Sequence, residues 1–84
     1  MRWEIEYEKD AYNFLEQKDL LNRVENSIVR FLKGQRADIK KLKGKWEGYF
    51  RLRIGKIRVI FTINKQKKKI IVRFADYRGD IYKK

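Results

Sequence analysis

The chain has 84 residues, enough for one domain with a modest core. It contains no cysteine and no histidine, which excludes a disulfide framework, a thiolate metal site, Ser-His-Asp or Cys-His catalysis and ordinary zinc hydrolysis. The formal net charge of +12 is concentrated in one half: residues 1–32 carry five Lys/Arg against seven Asp/Glu, and residues 33–84 carry eighteen against four. Such a split is the electrostatic footprint of a polyanion binder, with nucleic acid first and an anionic membrane surface second. A membrane-surface protein would place its basic residues on an amphipathic helix, whereas here the helical half is the acidic one. Charge that only keeps a small protein soluble is the bland alternative. The opening MRWEIEYEKD is charged throughout and has no apolar signal region, and no apolar run reaches membrane-spanning length. The cytoplasm is therefore the expected location.

In chain order, residues 2–8 alternate, with Trp3, Ile5 and Tyr7 on one side and Arg2, Glu4, Glu6 and Glu8 on the other, which predicts a strand with an acidic outer face. Residues 9–17 form a short helix with Ala11, Phe14 and Leu15 on one face. Lys18-Asp19 breaks it, and Asp19 is placed to cap the next helix. Residues 20–33 give the clearest helix, because Leu20, Leu21, Val24, Ile28, Phe31 and Leu32 make one apolar stripe, and Gly34 stands where a terminating glycine belongs. Residues 35–47 read as a basic linker pinned to the core by Ile39, Leu42 and Trp46.

Residues 49–63 read as a β-hairpin. Phe50, Leu52 and Ile54 alternate with Tyr49, Arg51 and Arg53, and Gly55-Lys56 is a two-residue turn of the II′ kind. Ile54 then pairs with Ile57, Arg53 with Arg58 and Arg51 with Ile60. Directly paired residues share a sheet face, so Arg51, Arg53 and Arg58 emerge together. After a polar connection from Asn64 to Lys69, a last strand spans 70–77. If it joins in phase, Arg73 and Tyr77 share the arginine face. The predicted architecture is α+β in the order β-α-α-β-β-β over one domain, 1–84, with a mainly antiparallel sheet, a helical hairpin on one face and a basic open face.

Arg51, Arg53 and Arg58 suit a phosphate, which guanidinium groups bind bidentately. The other reading is exposed strand arginines loosely paired with carboxylates. The ending Tyr77-Arg78-Gly79-Asp80-Ile81-Tyr82 either turns Arg78 and Tyr82 back over the basic face, with Gly79 permitting the bend, or is an aromatic anchor for a frayed terminus. The lysine runs around Lys43 and Lys45 and at Lys65–Lys69 read as solvated charge or as diffuse phosphate contacts. Trp3, Phe14, Phe31 and Phe61 occupy positions suited to packing.

Three stretches carry a resemblance. Leu42-Lys43-Gly44 looks like an L-x-G element, YFRLRIGKIRVIFTIN is similar to a recurring Y-x-R-x-R-x-G-x-x-R-V-I-Y pattern, and R-G-D-I-Y resembles an Arg followed four residues later by a Tyr. Together with the order of elements they resemble the RelE toxin family, of the RelE/ParE superfamily of toxin–antitoxin systems. The resemblance implies a ribosome-dependent endoribonuclease (an mRNA interferase) that cuts message in the A site and so inhibits translation. The 2′-hydroxyl attacks the adjacent phosphate without a metal or other cofactor. Arg51, Arg53, Arg58, Arg78 and Tyr82 are then the expected catalytic residues, and Lys43, Lys45, Arg73 and Tyr77 the expected RNA contacts. The expected partners are the 70S-type ribosome, mRNA and a RelB-like antitoxin. Some members carry lysines at the positions of Arg51 and Arg53 and a histidine at that of Tyr77. The sister ParE branch, which inhibits DNA gyrase and lacks the terminal Arg/Tyr pair, and a non-catalytic RNA-binding module are the alternatives.

Overall fold

In the computed structural model, residues 2–77 are described. Arg78, Gly79 and Tyr82, and the expectation that the terminus folds back over the basic face, lie outside the described residues. The elements run β1 (Glu4–Tyr7), α1 (Lys9–Gln17), α2 (Leu21–Leu32), β2 (Ile39–Lys41), a 3₁₀ turn (Gly44–Trp46), β3 (Tyr49–Ile54), β4 (Ile57–Asn64) and β5 (Lys69–Tyr77). The strands form one sheet in the order β1-β5-β4-β3-β2, parallel only between β1 and β5. The fold is α+β as expected. No described helix is long and apolar enough to cross a membrane.

The helix boundaries follow from chain termination rather than from capping side chains. Asp19 does not cap α2, since the residue before that helix is Leu20 and no side-chain cap bond forms there. Asp19 instead takes φ +58°. Its N–H reaches the Glu16 carbonyl at 3.0 Å while that of Leu20 reaches Leu15 at 2.9 Å. This paired reverse bonding ends α1 with a left-handed residue, a place usually taken by glycine. Gly34, at φ +77°, ends α2 in the same way: its own N–H bonds Phe31 and that of Gln35 bonds Arg30.

Both helices pack on one face of the sheet. Ala11 and Leu15 of α1 and Val24 and Ile28 of α2 meet Leu52, Ile54, Ile57, Val59, Phe61, Ile70 and Val72, all essentially removed from solvent. This burial of aliphatic and aromatic surface is the main stabilising term for a chain of this size. Trp3, Phe14 and Phe50 pack at its margin, and Phe31 meets Phe50 edge-on with ring centroids 5.9 Å apart.

Two features depart from the sequence reading. The basic linker contributes a fifth strand: β2 pairs antiparallel with β3, setting Lys40 opposite Arg51 and Ile39 opposite Leu52. Three residues are too few for alternation to stand out in a lysine-rich stretch. Secondly, the ladder between β4 and β5 is irregular. Ile60 faces Phe74 but Phe61 faces Val72, so Arg73 is an extra residue on β5. A bulge of this kind shifts the side-chain alternation beyond it by one. Phe74 and Asp76 therefore join the arginine face, while Ala75 and Tyr77 turn to the helix side. The in-phase expectation for Tyr77 is thereby corrected.

Candidate nucleic-acid interface

The hairpin places the three arginines. Gly55 sits at φ +58° in the turn, where a Cβ would be strained. The register across it is Ile54 to Ile57, Arg53 to Arg58 and Arg51 to Ile60. The odd-numbered residues of β3 and the even-numbered residues of β4 thus share the face opposite the helices. Among the described residues no α-helix packs on that face.

The arginines are not equivalent. Arg51 is 8 % exposed, while Arg53 is exposed and Arg58 half-buried. Asp38, just before β2, clamps two of them: one carboxylate oxygen accepts from Arg51 Nη2 at 3.0 Å and the other from Arg53 Nε at 3.0 Å. The backbone N–H of Arg53 also donates to the Asp38 carbonyl at 3.1 Å. The hydrogen bond from Arg53, together with the charges of Arg53, Arg51 and Lys40, holds the Asp38 carboxyl below its ordinary pKa. Arg51 Nε is buried without a hydrogen-bond partner among the described residues. Arg58 lies between Arg53 on one strand and Asp76 on the other.

The remaining sequence candidates divide. Arg73, the bulge residue, is held by Glu8 Oε2 at 2.9 Å and by Thr62 Oγ1 at 3.3 Å, which ties β5 to the start of α1. Tyr77 lies on the helix side, its ring 5.5 Å from Phe14 and under the Lys18 ammonium at 5.1 Å. Lys43 is exposed ahead of the 3₁₀ turn. Lys45 borders a shallow hollow with Trp46, Tyr49 and Phe74.

Those three rings were not foreseen as a group. Trp46 does not pin the linker to the helix-side core. It packs on the arginine face, edge-on to Tyr49 at 5.3 Å and to Phe74 at 5.8 Å. Beyond the edge of β3, Asp38 and Arg53 line a cleft of about 740 Å³ with Arg23, Arg30 and Arg36.

Asp38 was also missed. It is one of only four carboxylates after residue 32, and such a residue beside an arginine hairpin is a candidate counter-ion. Asp76 carried the other readable signal. A regular strand over 70–77 would bury its carboxylate against the helices, at a large desolvation cost, and a one-residue bulge removes that cost.

No family model and no curated protein sequence matches the chain. Solved structures do. A RelB–RelE antitoxin–toxin complex from Methanococcus jannaschii matches with a TM-score of 0.66 and 25 % identity, over 93 % of this chain and 95 % of that one. An archaeal RelE–RelB complex from Pyrococcus horikoshii OT3 matches with a TM-score of 0.69 and 22 % identity, over 95 % and 99 %. A heterotetrameric YoeB–YefM toxin–antitoxin complex from Staphylococcus aureus matches with a TM-score of 0.70 and 18 % identity, over 93 % and 99 %. The chain thus spans nearly the whole length of these toxins and shares their fold, a five-stranded sheet with two helices on one face.

Proposed function

We propose that the protein is the toxin of a toxin–antitoxin pair and an endoribonuclease that cuts mRNA in the ribosomal A site. The observation that carries this reading is the guanidinium row of the β3–β4 hairpin: Arg51, Arg53 and Arg58 on one sheet face. The fold shared with RelE and YoeB toxins supports it.

The chemistry follows from what such a face can do. The 2′-oxygen of one nucleotide forms a bond to the adjacent phosphorus while the bond to the 5′-oxygen breaks. The 2′-hydroxyl proton goes to a base, and the departing 5′-oxygen takes up a proton. The products are a 2′,3′-cyclic phosphate and a 5′-hydroxyl. The substrate supplies its own nucleophile, so the protein's task is positioning and charge stabilisation. Arg51 and Arg58 bind the non-bridging oxygens and the charge that grows on them. Arg53 shares Asp38 with Arg51 and fixes the orientation of the pair. An arginine stays protonated at any working pH, so the proton acceptor is another group, with Tyr82 or a lysine as the candidates within the chain. Arg78 stabilises the leaving oxygen in this reading.

The neighbouring structures were solved with RelB- or YefM-type antitoxins. A corresponding partner here is an acidic or amphipathic segment drawn to the basic surface, competing with RNA for the arginine face.

Toeprinting on translated mRNA tests the reading. Wild type is expected to give A-site cuts, and Arg51→Ala, Arg58→Ala and Arg78→Ala to reduce them at least tenfold, in line with loss of a charge-stabilising donor. Absence of cutting by wild type overturns the endoribonuclease. Inhibition of gyrase supercoiling in its place establishes the ParE-like alternative.

A further inference from the structure

The sheet face that carries the arginines also contains a fully buried residue. Ile60 is 0 % exposed although it lies outside the helix-side core. Its neighbours in the ladder are Arg51 on one side and Phe74 on the other. The Trp46–Tyr49–Phe74 ring group lies on this same face. Phe74 remains 37 % exposed, and it is on this face only because the bulge at Arg73 reverses the alternation of β5. A regular strand would have put Arg73 opposite Ile60 and the phenyl ring in the core.

Arg51, Ile60 and Phe74 form one transverse row across three strands. With strands about 4.8 Å apart, the Arg51 and Phe74 backbones stand roughly 10 Å from one another. That is on the order of the reach from a backbone phosphate across its sugar to the base. Exposed rings beside guanidinium groups on an open sheet are the two halves of single-stranded RNA recognition: the rings stack on bases and the cations hold phosphates. Lys45, on the rim of the same hollow, adds a further cation.

We infer that Trp46, Tyr49 and Phe74 form a stacking platform for one base of single-stranded RNA whose phosphate is held by Arg51 and Arg58. Phe74, at the outer end of the row, supplies the exposed ring. The inference rests on the reading of the arginine face as an RNA site and deepens it. The competing explanation is that the rings only shield Ile60 from water.

The test uses the full chain carrying Trp3→Phe. Trp3 packs at the margin of the helix-side core with the Lys68 ammonium 5.4 Å from its ring, so the change leaves Trp46 as the one tryptophan. Two probes are titrated at low ionic strength: a 2′-O-methyl oligoribonucleotide, which cannot cyclise, and an abasic oligomer of equal length and charge. The base-bearing probe is expected to quench Trp46 emission and to bind roughly 5- to 150-fold more tightly than the abasic one, the range of one stacked base. Phe74→Leu, which keeps an apolar cover over Ile60 but removes the π face, is expected to abolish most of that preference and to leave abasic binding unchanged. A circular-dichroism melt establishes that the variant is folded.

Equal affinity for the two probes, or a preference that survives Phe74→Leu, overturns the platform while leaving the arginine site standing. Binding that is indifferent to Arg51→Ala overturns the underlying RNA reading and the platform with it.

Discussion

Asp38 sets the state of the arginine face. Its carboxylate spans Arg51 and Arg53 at 3.0 Å each. It orients the two guanidinium groups and offsets part of their charge. Arg51 is nearly buried, so losing its counter-ion leaves a charge with poor solvation. The carboxylate side chain is 46 % exposed, which limits the effect. Asp38→Asn is therefore expected to lower stability at pH 7 by no more than about 1 kcal/mol. The pH dependence has a definite sign. A carboxyl held below its ordinary value of 3.8 stabilises the fold above that value, and the contribution disappears as pH falls through the lowered folded-state value. Chemical-denaturation curves of wild type and Asp38→Asn should therefore converge as pH falls below the ordinary carboxyl value of 3.8. Parallel loss of stability in the two proteins would show that the clamp contributes nothing.

At the scale of elements, the sheet is built around β4 and β5, and β1 closes its far side by pairing parallel with β5. Tyr7 at the end of β1 donates to Glu25 Oε2 of α2 at 2.6 Å. Burial and the Glu25 carboxylate push its phenol far above the ordinary range, so it stays a donor at any physiological pH. Tyr7→Phe is expected to cost about 1 kcal/mol, a fall in Tm of roughly 4–8 °C for a domain of this size. An unchanged Tm would mean that the bond does not fasten β1 to α2.

The elements legible in the sequence were those with strong periodicity and a clear stop. The stripe from Leu20 to Leu32 and the glycine after it located α2. The alternation around Gly55-Lys56 gave the hairpin register residue for residue. What stayed hidden had physical causes. Three lysine-rich residues show no period, so β2 read as linker. A bulge is invisible to a period-2 pattern, so that pattern puts Tyr77 on the wrong face. The Asp38 clamp on Arg51 and the contact of Trp46 with Phe74 join residues 13 and 28 positions apart, which local pattern does not encode.

Across the whole molecule, the charge divided by sequence is not the charge divided by surface. Arg23 and Arg30 belong to the acidic half of the chain, yet with Arg36 and Arg53 they line the cleft beyond the edge of β3. The positive surface thus runs from the hairpin around the sheet edge, while one face of the sheet is given over to the helices. This layout suits a protein that approaches a polyanion broadly and does its chemistry at one row of side chains, since diffuse phosphate contacts add affinity and the row adds geometry. An acidic partner covering that surface would block both.

If the hairpin arginines drive cyclisation at a scissile mRNA phosphate, the chemistry is written in the ends of the cut message. The protein is incubated with ribosomes translating a defined mRNA, and the fragment termini are identified by mass spectrometry. The expected products are a 2′,3′-cyclic phosphate on the upstream fragment and a 5′-hydroxyl on the downstream one, with the yield of both lost in the Arg51→Ala/Arg58→Ala double variant. Fragments ending in a 3′-hydroxyl and a 5′-phosphate, or undiminished cutting by the double variant, would contradict it.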